Sequence, residues 1–106
     1  MPDAAALLPD AARALAEAFG GPAPAAQATL ADVRRYVEAH VARLLDANPA
    51  LLMHVLYRVD VAERDVRRVF DEAPPGEIAR RLADLLVARQ LVKLETRRRY
   101  PPPGAP

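Results

Sequence analysis

The sequence predicts an all-α protein, a small compact helical bundle of four helices preceded by an Ala-rich N-terminal helix, and three observations predict it. Apolar residues recur at spacings of three and four in nearly every segment. Gly and Pro fall in short clusters that punctuate those segments. The one alternating stretch, Val92 to Thr96, has no second strand left to pair with. At 106 residues, with 52% apolar and 27% charged, the chain suits one domain with a single core. Ala supplies much of the apolar share, so the core has to come from Leu, Val and a few aromatic residues.

Residues 1–28 read as an Ala-rich helix and a Gly/Pro linker. Because proline is tolerated only in the first turn, the secure part of that helix is expected after Pro9, in "DAARALAEAF". "GGPAPAAQ" then breaks it, which suggests a helix loosely attached to the rest. The helical domain is expected over residues 29–99. Thr29 with Asp32 provides its start, a hydroxyl capping free N–H groups and a carboxylate at the positive helix end. Leu30, Val33, Val37, Val41, Leu44 and Leu45 follow as one stripe, to about Ala47. Asn48 and Pro49 supply the next N-cap and first-turn proline. The helix they open carries a broad apolar face of Leu51, Leu52, Val55, Leu56 and Val59, which suggests a central place in the core.

Asp60 and Glu63 have capping-box spacing, so a third domain helix is expected from about Val61, with Val66, Val69 and Phe70 inward and the Glu63–Arg67 pair in solvent. "APPGE" ends it and starts the last helix, whose stripe is Ile78, Leu82, Leu85 and Leu86. At about 100° per residue, Val87, Leu91 and Leu94 fall on the opposite side. A helix apolar on two sides needs two neighbours, either the N-terminal helix or another copy of the protein. "PPPGAP" closes the chain as an extended tail within residues 100–106.

Composition excludes several chemistries. With no cysteine there is no disulfide, thiol nucleophile or Cys-based metal site, and with no serine there is no serine nucleophile. No Gly-rich phosphate loop is present. His40 and His54 lie on different helices outside any metal-binding spacing and read as helix-edge residues, and Asp71 and Glu72 read as solvated surface at a helix end. Arg58 with Asp60 reads as a contact locking two helices rather than a catalytic pair. The protein is therefore expected not to be an enzyme and to need no cofactor or metal. No window approaches the roughly 18 apolar residues of a membrane span and no secretory signal opens the chain, so a soluble cytoplasmic protein is expected.

Net charge is only +1. The C-terminal segment is nonetheless basic, with Arg89, Lys93, Arg97, Arg98 and Arg99 against Glu95. Two functions are expected from this. The first is a protein-interaction or self-associating adaptor module, its partner another protein or a second copy in a homodimer, using Val87, Leu91 and Leu94. The alternative is nucleic-acid binding through Lys93, Arg97, Arg98 and Arg99, joined by Arg64, Arg67 and Arg68. "EIARRLADLLVARQLVKLETRRRY" resembles the helix-to-strand passage of winged helix–turn–helix domains, which would make residues 90–99 partly a wing strand. It departs from them in having Gln90 where a Gly is usual and proline after Tyr100, so one continuous helix is preferred. Leu56, Tyr57, Arg58, Val59, Asp60, Val61 and Glu63, with Arg89, Gln90, Leu91 and Lys93, also resemble a set of short uncharacterised bacterial proteins sharing an "LYR-aliphatic-DV-x-E" segment and a closing "RQL" helix. That likeness spans about residues 44–100 and implies a small helical fold, with no activity or catalytic residue attached.

Overall fold

The computed structural model describes residues 4–100, and these form five α-helices without a strand. They are α1 (Ala4–Phe19), α2 (Leu30–Ala47), α3 (Pro49–Val59), α4 (Glu63–Glu72) and α5 (Ile78–Arg99), with one 3₁₀ turn, Pro75–Glu77, before α5. The proline tail expected after Tyr100 lies outside the described residues. None of the described helices is long and apolar enough to cross a membrane.

Helix α1 is an integral layer of the core, which corrects the expectation of a loosely attached helix. It starts at Ala4 and runs through Pro9. A proline in the second turn removes one backbone hydrogen bond. That cost is offset because Leu8, Ala11, Ala12, Leu15, Ala16 and Ala18 are all buried. The small alanines let the helix lie close to its neighbours α5, α2 and α3. Its end is fixed as well. Gly20 takes a left-handed conformation (φ 76°), and the Gly20 and Gly21 amides donate to the carbonyls of Glu17 and Ala16 at 3.1 and 3.0 Å, the pairing that closes a Schellman turn. The linker beyond is held by the Tyr36 hydroxyl, which donates to the Pro22 carbonyl at 2.7 Å.

The start of α2 follows the sequence closely. The Asp32 amide donates to the Thr29 hydroxyl at 3.1 Å while the Thr29 amide donates to the Asp32 carboxylate at 3.0 Å, a complete capping box. Those bonds from Thr29, backbone first, together with the Arg35 guanidinium, hold the Asp32 carboxyl below its usual range. Val33, Val37, Val41 and Leu44 are buried as expected. Leu30, in the first turn, remains 38% exposed. Asn48 caps α3 through its side chain, which accepts from the Leu51 amide at 3.2 Å.

The central helix is α5 rather than α3, since α5 packs along α2 and α1 and also meets α3 and α4. It stays helical through residues 90–99, so no wing strand forms. Leu82, Ala83, Leu86, Val87 and Gln90 are buried in it, and both of its apolar sides find neighbours within the chain. Phe70, expected to face inward, is half exposed near the end of the short α4, while Val66 and Val69 carry its burial.

One aromatic cluster ties α1 to α2. The Phe19 ring stacks on His40 with centroids 4.9 Å apart, and Tyr36 meets the same imidazole edge-on at 4.6 Å. The Arg43 guanidinium lies 2.7 Å from His40 Nδ1, a contact that suits a neutral ring accepting at that nitrogen. Burial, and then the Arg43 charge, push the His40 pKa below 6.5.

Two outcomes follow from this packing. Leu15→Ala should cost about 2–5 kcal/mol in urea denaturation while unfolding remains a single transition; a loss near zero would mean α1 is dispensable. Because the folded state disfavours charged His40, its contribution is complete above about pH 6.5 and is lost as pH falls through the depressed folded pKa. Thermal melts from pH 7.5 to 5 should therefore show a decline that is smaller in His40→Phe, which keeps the stack and does not titrate. Equal declines in the two proteins would refute it.

Candidate interaction surface

The segment "LYRVDVAE" turns the corner from α3 to α4. Asp60 sits at that corner in a left-handed conformation (φ 68°, ψ 41°), which Asp tolerates better than most residues. The Asp60 amide donates to the Tyr57 carbonyl and the Val61 amide to the Leu56 carbonyl, both at 3.0 Å. Asp60 therefore ends α3 instead of starting α4, whose N-cap is Ala62 without a side-chain cap. The capping-box expectation fails here because the left-handed turn places Asp60 outside the first turn of α4.

Asp60 is gripped from α5. Arg89 Nε donates to the Asp60 carbonyl at 3.1 Å and Nη2 to its carboxylate at 3.0 Å, so a single guanidinium holds both the backbone and the side chain of the corner. The expected Arg58–Asp60 contact is replaced by this one. Arg58 lies instead 3.7 Å from Glu17 of α1.

Beside this clasp lies an open trough of about 490 Å³ between the start of α4 and α5. It is lined by the apolar side chains of Val61, Ala62, Leu85, Ala88 and Val92 together with Asp60, Asp65 and Arg89. Val92 is 52% exposed. Arg89 also lines a second depression with Lys93, Thr96, Arg97 and Tyr100. On a helix Leu85, Arg89, Val92 and Thr96 share one face, Tyr100 and Lys93 lie about 60° and 80° round from Leu85, and Arg97 about 120° round from it. The two depressions meet at Arg89 and form one strip that winds partly round α5, apolar at one end and basic at the other.

The expected site residues are divided by this geometry. Val87 is 2% exposed within the core, and Leu91 and Leu94 are half-buried, with Leu91 packed against the core. Val87 is thus unavailable as an interface residue, because neighbouring helices of the same chain cover that side. Lys93 and Arg97 lie on the strip, and no carboxylate among the described residues is within 4 Å of either. Arg98 projects about 100° away from Arg97. Arg99 pairs with Glu95 at 3.1 Å. The three consecutive arginines therefore point apart, whereas Arg89, Lys93 and Arg97, at successive spacings of four, line one depression. That spacing was legible in the sequence. The union of Asp60 with Arg89, 29 residues apart, was not.

His54, Asp71 and Glu72 are exposed. No group of three His, Asp or Glu side chains among the described residues could hold a metal ion. Comparison of the chain with protein-family models, with curated proteins and with solved structures finds no match.

Arg89→Ala should cost about 1 kcal/mol in urea denaturation, since the pair is partly exposed. Asp60→Asn should cost less, because it keeps the left-handed turn and the carbonyl bond to Arg89. Equal losses would mean that the carbonyl bond contributes nothing.

Proposed function

We propose that the protein is a small helical interaction module that docks a segment of a partner protein in the trough between α4 and α5. The observation that carries this reading is the combination of a fixed rim and an uncovered apolar floor. Arg89 locks the corner at Asp60, while Val61, Ala62, Leu85, Ala88 and Val92 face a solvent-open channel. Apolar contacts within a polar rim are the usual anatomy of a binding surface, and a preorganised rim lowers the ordering cost of binding. Self-association through Val87, Leu91 and Leu94 has lost its support, because Val87 is buried and Leu91 packs on the core. The interaction reading itself moves to the opposite face of the same helix.

The test is a peptide-display selection on the full chain. Enriched peptides should shift the methyl signals of Val61, Leu85 and Val92 in NMR spectra. They should bind the Val92→Arg variant at least about tenfold more weakly, as expected for losing one buried aliphatic side chain and placing a charge against the ligand. Val92 is half exposed, so this variant should retain the wild-type melting temperature. Undiminished binding by Val92→Arg, or shifts confined to exposed residues of α3 such as Met53 and Tyr57, would overturn the assignment.

A further inference from the structure

We infer that the segment docked in the trough is amphipathic and acidic, with apolar anchors over Leu85 and Val92 and, where it crosses Arg89 into the adjoining depression, its carboxylates beside Lys93 and Arg97. This rests on the docking reading above and adds the chemistry of the partner. Most arginines of the described surface are already matched. Arg13 with Asp10, Arg34 with Asp84, Arg35 with Asp32, Arg67 with Glu63, Arg80 and Arg81 with Glu77, and Arg99 with Glu95 are ion pairs. Arg64, Arg68, Lys93, Arg97 and Arg98 have no carboxylate within 4 Å among the described residues, and of these Lys93 and Arg97 line the depression beside the trough. They stand one turn apart in the depression that adjoins the apolar trough at Arg89, with the hydroxyl groups of Thr96 and Tyr100 beside them. An anion placed there could form charge-assisted hydrogen bonds with both cations.

The trough itself carries the opposite sign. Asp65 lines it, and no cation among the described residues lies within 4 Å of that carboxylate. An acidic segment would be repelled there and attracted at the Lys93 end, so the charges set its orientation as well as its composition. Size points to a segment rather than a folded surface. From Leu85 to Tyr100 the strip is about 22 Å long, at about 1.5 Å per residue, and roughly one helix wide. That is well short of the roughly 800 Å² per partner typical of a stable interface between globular proteins, which also disfavours a second copy as the occupant. The apolar half favours a peptide over a nucleic-acid strand, which would need cations along the whole strip.

The experiment uses a display library of 16-residue peptides with fixed apolar anchors and four trailing positions free to be Glu, Gln or Lys, selected on the full chain and on the Lys93→Glu/Arg97→Glu variant. Wild type should enrich Glu at the trailing positions, and the variant should reverse the preference to Lys. A synthesised hit should bind wild type about tenfold or more tightly than its Glu→Gln version at 50 mM salt, with the difference collapsing at 500 mM. Enrichment indifferent to charge on both baits would overturn the acidic inference and leave the docking reading standing. Failure to enrich anything over a library with scrambled anchors would overturn both. A 15-nucleotide single-stranded oligouridine that binds through Lys93 and Arg97 where no peptide does would assign the strip to nucleic acid instead.

Discussion

Complete burial of Leu82 and Leu86 in α5 is the constraint on which the remaining packing depends. With Ala83, Val87 and Gln90 they occupy an arc of about 140° on the helix, at about 100° per residue. One neighbouring helix cannot cover so wide an arc, and α5 accordingly packs along both α1 and α2 while meeting α3 and α4. This explains why the Ala-rich α1 belongs to the core despite its proline and its Gly/Pro linker. Without α1, part of that arc and the side chain of Leu15 would face water, a loss of several kcal/mol at about 25 cal/mol per Å². The Schellman turn at Gly20 and Gly21 and the Tyr36 bond to Pro22 then return the chain to α2.

The same arc determines what α5 leaves outside. Residues opposite its centre, among them Ala88, Val92 and Glu95, cannot reach the core whatever their polarity. Burial also fades along the axis. Gln90, at 6% exposure, is the one buried polar residue of the described core, and from Leu91 onward every side chain of α5 is half-buried or exposed. The C-terminal turns of α5 are therefore supported by the bundle without being enclosed by it. The α3–α4 corner approaches this free face because Arg89 holds Asp60 there, and the trough is the space that the approach leaves open.

Much of this was legible in local sequence. Thr29 with Asp32 and Asn48 with Pro49 act as caps because capping depends on neighbours three or four residues away, and the Val33–Val37–Val41–Leu44 stripe lies where its period puts it. Features that depend on distant partners were not legible. Pro9 suggested a helix start because the gain from burying Leu8 and Leu15 depends on α5 being there. Asp60 and Glu63 had capping-box spacing, yet the left-handed turn at Asp60 assigns it to the preceding helix. Two apolar sides on α5 left the choice between α1 and a second chain undetermined, since periodicity counts faces and does not name what covers them. For the surface the fault was different. Three adjacent arginines drew attention by proximity in sequence, whereas helical geometry groups Arg89, Lys93 and Arg97.

The basic end of α5 also shows why a net charge of +1 is a poor guide to this surface. Ion pairs such as Arg67–Glu63 and Arg35–Asp32 sit one turn apart on a single helix, so they cancel locally and contribute little to the field at a distance. What such cancellation leaves is set by position. At Lys93 and Arg97 two positive charges without a carboxylate beside them adjoin, across Arg89, an apolar channel, and the negative end of the α5 dipole falls in the same turns and makes cations favourable there without an ion-pair partner. A helix C-terminus can therefore hold this excess at little cost to the fold. The cations it retains stay available to an outside anion, which a carboxylate of the chain itself would otherwise have engaged.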